Sequence, residues 1–284
     1  MQKGDHTIAA GGRGLISPQR MFDRQTTISA FDNGWTLKLS DRHAAITGGN
    51  SGIGLAIGRA FRDEGASVAI LGRDPSSLQA AAAELGPETV ATRGDVSNLD
   101  DLDRFYAEIE EAFGGLDVLV VNAGVYESCP LADTTPEFFD RTSDVNFRGA
   151  FFTVQRALPL LREGASVILV TSTINESGVP GLAVYAATKA AVRSLARSLA
   201  AELMPRKIRV NALSPGIIDT PIFDRLGMAD RQVEELKRDL EVQVPMGRLG
   251  TPHEIARAAV FLASDDSSYM TGCELPVSGG LGQI

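Results

Sequence analysis

From residue 41 onward the chain alternates short apolar runs with longer amphipathic stretches. The runs His43–Thr47, Ser67–Leu71, Thr89–Arg93, Asp117–Val121, Ser166–Thr171, Ile208–Leu213 and Cys273–Val277 read as strands. Between them, "GLAIGRAFRDEG", "LDDLDRFYAEIEEAFG" and "PEFFDRTSDVNFRGAFFTVQRALPLLREG" carry the apolar spacing of helices. Strand alternating with helix predicts βαβ units, a parallel sheet and right-handed crossovers. The expectation is an α/β fold, a doubly wound parallel sheet of about seven strands with helices on both faces. It forms one domain over residues 41–284, with no repeat of solenoid type. The first 40 residues have glycines and polar residues but no sustained period of 2 or 3.6, which reads as a flexible arm.

The first strand runs into "TGGNSGIG" and then into a helical pattern. Gly48, Gly52 and Gly54 are spaced G-x-x-x-G-x-G. Absent side chains let a phosphate approach the backbone, and the helix that follows aims N–H groups and a positive dipole end at it. The missing Gly-Lys-Ser/Thr ending excludes a triphosphatase loop. A Rossmann-type dinucleotide site is the expectation. About 20 residues further on, where the adenosine ribose belongs, the second strand ends in Gly72-Arg73 rather than in an acid. An arginine fork meets a 2′-phosphate, so Arg73 favours NADP(H) over NAD(H). Neither Gly49 nor Asn50 adds a second basic group in the loop.

"YAATK" places Tyr185 and Lys189 four residues apart in an alanine-rich helical run. Positions i and i+4 share a helix face, separated by a rise of about 6 Å. A free phenol, with a pKa near ~10, is a poor base at neutral pH. A neighbouring ammonium favours the phenolate and lowers that pKa, so the pair can exchange a proton with a carbonyl or an alcohol. Ser172 follows the apolar strand "SVILVT" at its carboxyl end, where open α/β sheets bind ligands, and its hydroxyl can donate to the same oxygen.

Composition narrows the partners. The formal charge of −9 disfavours a phosphate backbone, so nucleic acid is not an expected partner. Two cysteines, Cys129 and Cys273, make neither a disulfide framework nor a zinc set, and His6, His43 and His253 have no ligand spacing. No metal is expected. Nor does any run reach the ~18 apolar residues of a membrane span, and there is no apolar leader. A cytoplasmic protein with reduced thiols is the expectation.

The ordered set "TGGNSGIG", "GDV", "NAG", "DVNFRGAFF", "VTSTINESGVPGLAVYAATKAA", "RVNALSPGIIDTP" and "GRLGTPHEIARAAVFLASDDSSYMTG" resembles the short-chain dehydrogenase/reductase family across nearly all of residues 41–284. Ser278 in "PVSGG" stands where the family usually has an acid. The resemblance implies that Gly48, Ser51, Gly52, Ile53 and Gly54 line the cofactor phosphates. It places Asp95 and Val96 beside the adenine, and Asn122, Ala123 and Gly124 beside the cofactor at the end of the fourth strand. Pro215, Gly216, Ile218 and Thr220 would hold the nicotinamide end. Lys189 would also bond the nicotinamide ribose, and Asn146 would interrupt its helix and hold a water in a proton relay with the lysine. Asn146, Ser172, Tyr185 and Lys189 are then the catalytic set. Residues 228–243 would form an amphipathic lid over the substrate, and the chain would assemble as a homotetramer.

The expected activity is hydride transfer between NADP(H) and a ketone/secondary alcohol pair, as a carbonyl or 3-oxoacyl-type reductase. The mostly apolar wall of Val125, Tyr126, Thr173, Ile174, Val179, Pro180, Ile222 and Phe223 suits such a substrate. An NAD-linked alcohol or sugar dehydrogenase and a non-catalytic dinucleotide sensor are the alternatives.

Overall fold

The computed structural model describes residues 37–223 and 227–284. The arm expected over residues 1–40 therefore lies outside the described residues, except for its last four. One of those four is packed and the others are exposed. Leu39 is fully buried and its N–H donates to Glu64 O at 2.9 Å, and Lys38 Nζ pairs with Asp266 at 2.5 Å. One buried leucine is enough to anchor this segment and too little to show a period.

Seven strands form one sheet: β1 (His43–Thr47), β2 (Ser67–Gly72), β3 (Val90–Arg93), β4 (Leu116–Val121), β5 (Leu161–Val170), β6 (Arg209–Pro215) and β7 (Glu274–Val277). Their order is β3-β2-β1-β4-β5-β6-β7, and every pairing is parallel. Each strand expected from the sequence is present. Helices α1 (Gly52–Asp63), α2 (Pro75–Leu85), α3 (Leu99–Phe113), α4 (Pro136–Ser143), α5 (Gly149–Ala157), α6 (Ala183–Leu203), α7 (Asp230–Gln243) and α8 (Pro252–Ala263) connect them.

The strand alternation divides two cores. Ala45, Leu119, Val167 and Leu169 pack under α3, α5 and α6, against residues such as Phe105, Val154 and Val192. Their neighbours Ile46, Val120 and Ile168 face the other way, onto Ile57 and Phe61 of α1 and Ile255 and Ala259 of α8. Both faces are covered, so the strands read as continuous apolar runs rather than alternating ones. The connections reverse direction between β1 and β4, which opens a crevice outside their carboxyl ends.

The long helical pattern over residues 136–164 resolves into three parts. A turn of π-helix, Asp144–Arg148, separates α4 from α5. Gly149 permits the close fit there, since a Cβ would lie 2.8 Å from Val96 Cγ2 and 3.0 Å from Asp144 O. The helix stops at Ala157, ahead of Pro159, which has no N–H to continue it. Leu161 then pairs with Leu116 to open β5, and the register shifts before Ser166 meets Val118.

Candidate active site

The parallel sheet brings the motif residues to one edge. Gly48 leaves β1, Arg73 leaves β2, and Asp95 and Val96 follow β3. Asn122, Ala123 and Gly124 follow β4, Ser172 follows β5, and Pro215, Gly216, Ile218 and Thr220 end or follow β6.

The glycine turn is built around Asn122 and Thr47. Asn122 Nδ2 donates to Thr47 O at 3.0 Å and to Gly48 O at 3.2 Å. Thr47 Oγ1 accepts from the N–H groups of Asn122 and Ala123, both at 3.1 Å. A Cβ on Gly54 would sit 2.2 Å from Gly48 O, so only glycine lets α1 start this close to the strand. Ser51 occupies the N-cap of α1 without a side-chain cap bond, leaving the first-turn N–H groups to an outside acceptor. Gly52, at φ +53°, faces Thr220 with 3.6 Å from an added Cβ to the threonine Cβ. Uncapped donors beside bare backbone, at the switch point, fit the diphosphate of a dinucleotide.

Four polar groups converge beyond it. The Ser172 hydroxyl lies close enough to the Tyr185 phenol to pull its pKa down, and it also accepts from Ile174 N at 3.3 Å. Lys189 is 5% exposed, its Nζ donates to Val170 O at 3.0 Å, and it lies 5.9 Å from the centre of the Tyr185 ring. Asn146, in the π-turn, is 1% exposed. Its Oδ1 accepts from Val125 N at 2.8 Å, while its Nδ2 donates to Val125 O at 2.9 Å and to Thr188 Oγ1 at 3.3 Å. Asn146 and Lys189 meet at Gly124, where an added Cβ would lie 3.2 Å from Asn146 Oδ1 and 3.5 Å from Lys189 Nζ. Tyr126 packs edge-on against Tyr185, with centroids 5.1 Å apart.

The electrostatics differ from the sequence expectation in one respect. Burial pushes the Tyr185 phenol up to about 12, the Ser172 hydrogen bond pulls it part of the way back, and Tyr126 adds a small upward push. Burial also pushes Lys189 down to about 8. The protein alone therefore keeps the phenol protonated, as a proton donor, and the lysine does not by itself bring it to neutral pH. Further lowering has to come from positive charge entering the cleft.

Residues 48–282 match the family model described as enoyl-(acyl carrier protein) reductase. An oxidoreductase of Sarocladium schorii, asL5, is 44% identical over 87% of this chain and 98% of its own. An NADP-dependent (R)-specific alcohol dehydrogenase of Lentilactobacillus kefiri is 36% identical over 86% of this chain and 98% of its own. The crystal structure of a short-chain dehydrogenase/reductase titled glucose/ribitol dehydrogenase, from Brucella melitensis, superposes with a TM-score of 0.82. It is 37% identical and covers 88% of this chain and all of that one, 100%. The chain belongs to the short-chain dehydrogenase/reductase family. It is accordingly an enzyme, an oxidoreductase acting on alcohols or ketones, and the family implies a nicotinamide dinucleotide cofactor.

Several contributors to this short-chain dehydrogenase/reductase site were given no role by the motifs, even where they lie within them. Thr47 anchors the glycine turn, and its only signal is its place immediately before Gly48. Thr188 holds Asn146 and donates to Tyr185 O at 2.7 Å. Arg93 ends β3, and its Nε donates to Arg73 O at 3.4 Å. With Arg73, Asp95, Asp101 and Arg104 it lines an open cleft of about 350 Å³ at the ends of β2 and β3. Only the strand order, which sets β3 beside β2, brings these arginines together. Among the described residues no group of His, Cys, Asp or Glu could hold a metal ion, and no helix is long and apolar enough to cross a membrane.

Proposed function

We propose that the enzyme transfers hydride between NADP(H) and a ketone/secondary alcohol pair, working as a reductase of a medium-sized apolar or 3-oxoacyl-type ketone. The carrying observation is the convergence of Ser172, Tyr185 and Lys189 at the carboxyl edge of the sheet, beside the uncapped start of α1. The nicotinamide, when bound, supplies or accepts the hydride. Ser172 donates a hydrogen bond to the substrate oxygen, where negative charge grows during reduction. Tyr185, protonated throughout the neutral range, gives that oxygen its proton. The Lys189 ammonium stabilises the phenolate left behind, and Asn146 holds a water that returns the proton from solvent. The meeting of Asn146 and Lys189 at Gly124 supports that route. Tyr126, Val179 and Ile222 are exposed around the mouth and give the substrate an apolar wall.

NADP(H) is supported by two arginines rather than one. Arg73 is 61% exposed at its side chain, and Arg93 is fastened to Arg73's own carbonyl. A reading with NAD(H) and an alcohol or sugar substrate is favoured by one contact, Asp95 Oδ2 lying 3.5 Å from Arg73 Nη1, which spends part of the arginine's charge. The similarity to the Brucella melitensis glucose/ribitol dehydrogenase points the same way. We also assign the chain a cytoplasmic setting, in keeping with free Cys129 and Cys273, and a homotetramer. Phe139, Phe147 and Phe151 lie exposed on α4, the π-turn and α5 and suit a second copy.

The test is oxidation of NADPH, beside NADH, against aryl ketones, β-keto esters, quinones and sugars, with Tyr185→Phe as control. Turnover of a ketone with NADPH, abolished in the variant, is expected. Turnover that survives Tyr185→Phe would overturn the mechanism. Tight NADPH binding with no turnover on any substrate would favour a dinucleotide sensor.

A further inference from the structure

Behind Ser172 the edge strand contributes a carboxylate that no motif marks. Glu274 opens β7, with its side chain 12% exposed. Its Oε1 accepts from Asn175 Nδ2 at 2.6 Å and lies 3.4 Å from Thr171 Oγ1, which is also 3.2 Å from Leu213 O. Its Oε2 pairs with Arg193 Nε, and Arg193 Nη2 reaches Glu176 at 2.8 Å. Thr171 immediately precedes Ser172, and Asn175 and Glu176 close the short turn Thr173–Glu176 that follows it. Arg193 stands on α6 four residues beyond Lys189 and eight beyond Tyr185, on nearly the same ridge. One largely buried carboxylate thus contacts the chain on both sides of Ser172 and, through one arginine, the helix that carries Tyr185 and Lys189.

We infer that Glu274 and Arg193 are positioning residues that fix the Ser172 hydroxyl against the Tyr185 phenol, with β7 as the post to which both are tied. A carboxylate this buried is costly unless paired and hydrogen-bonded, and here the partners all come from the two elements bearing the reacting groups. The sheet does not need the contact, since β6 and β7 are already held by backbone pairing from Ala212–Glu274 to Pro215–Val277. Arg193 suits the task because a planar guanidinium bridges two carboxylates on different segments, whereas an ammonium serves as a single point charge. A slip of about 1 Å between reacting groups is enough to cost up to about a hundredfold in rate. The inference rests on the reading of Ser172, Tyr185 and Lys189 as the reacting groups.

The experiment compares Glu274→Gln, Arg193→Lys and Tyr185→Phe with the wild type, using NADPH and the best ketone of the substrate panel. Four quantities are read: thermal midpoint, NADPH dissociation constant by fluorescence, kcat, and the primary isotope effect on kcat with deuterated NADPH. Glu274→Gln is expected to bind NADPH within about twofold of wild type while kcat falls ten- to a hundredfold and the isotope effect rises toward its intrinsic value. Arg193→Lys, which keeps the charge but loses the fork that bridges Glu274 and Glu176, is expected to lower kcat severalfold while NADPH binding again stays within about twofold of wild type. A merely structural role lowers the midpoint and the active fraction and leaves the isotope effect of the remaining molecules unmoved, and that result would overturn the inference. So would a wild-type kcat in Glu274→Gln while Tyr185→Phe is inactive. Turnover surviving in Tyr185→Phe would instead remove the site reading and this inference with it.

Discussion

Lys189 Nζ donates to the carbonyl of Val170, the last residue of β5, at 3.0 Å, two residues before Ser172. The bond holds the ammonium against the strand that delivers the serine, in a place where burial pushes its pKa down to about 8. The sign of the pH effect follows. In the unfolded chain the lysine keeps its proton to its ordinary value near ~10.4, so between about pH 8 and 10 the unfolded state binds more protons and stability rises with pH. The rise contributed by this group is at most about 3 kcal/mol. Lys189→Met is expected to lose it. Urea unfolding of the ligand-free protein at pH 7, 8, 9 and 10 checks this, and parallel curves for wild type and variant would refute it. Tyr185 acts in the opposite direction but only above its unfolded value, since its folded pKa is raised to about 12, so its stabilisation is lost as pH climbs past ~10.

Asn146 holds the loop after β4 by both groups of one residue, accepting from Val125 N and donating to Val125 O. Replacing it with alanine leaves the partly buried N–H and C=O of Val125 unpaired, a loss of about 1 to 2 kcal/mol at ~0.5–1 for each group. Asn146→Ala is therefore expected to be markedly less stable by urea unfolding and slower in kcat. Asn146→Asp separates the two effects, because it keeps the acceptor for Val125 N and loses the amide donor. It should unfold closer to wild type while kcat stays low. Wild-type kcat in the aspartate variant would show that the residue only holds the loop.

The sheet was legible, and the proposed catalytic groups were found, because each leaves a local trace. Covered parallel strands must be apolar throughout, as in Val118–Val121, and Tyr185 and Lys189 need only a helix to face the same way. The traces fail where chemistry is assembled across strands. Arg93 stands twenty residues from Arg73 and reads as an ordinary exposed arginine until β3 lies beside β2. Glu274 reads as a polar residue on an edge strand until α6 brings Arg193 over it. The expected helix over residues 136–164 ran too far for a different reason. Its apolar spacing persists through Leu158, Leu160 and Leu161, but those leucines fill the core as a turn and a strand start once Pro159 has ended the ladder. Burial demands apolar residues in either conformation, so spacing alone cannot separate them there.

In the proposed NADP(H) reading, cofactor choice turns on the two arginines at the ends of β2 and β3. Arg73→Asp replaces a phosphate donor with a repelling charge, and should swing the NADPH/NADH ratio of kcat/KM toward NADH by a hundredfold or more, on the scale of ~1.5–3 kcal/mol for a charged hydrogen bond lost plus like-charge repulsion. Arg93→Gln removes only the second fork and should lower the ratio by about tenfold. Direct titration with 2′,5′-ADP and 5′-AMP reads the same preference without turnover. A wild type that binds the two equally, or an Arg73→Asp variant with unchanged preference, would assign the enzyme to NAD(H).

Helix α7 turns Val233, Leu236 and Leu240 inward onto Phe223, Ile217 and Leu249, and leaves most of its other residues in solvent. Lys237 ties it to the segment expected at the nicotinamide end, pairing with Asp219 at 2.9 Å and lying 5.4 Å from the centre of the Phe223 ring. Asp219 is next to Thr220, so a ligand that orders Thr220 also orders the anchor of the helix. Among the described residues a small apolar patch and the partly exposed Lys237–Asp219 pair tie α7 to the segment beneath it, an arrangement that suits the lid expected from the sequence. Saturating NADPH is expected to slow backbone hydrogen exchange over residues 230–243. Lys237→Met should raise KM for the ketone severalfold while the NADPH dissociation constant changes less than about twofold, since in the lid reading the loosened helix lies over the substrate and away from the adenosine. Exchange over α7 that is the same with and without NADPH would make it a fixed surface helix, and the variant's KM would then stay at the wild-type value.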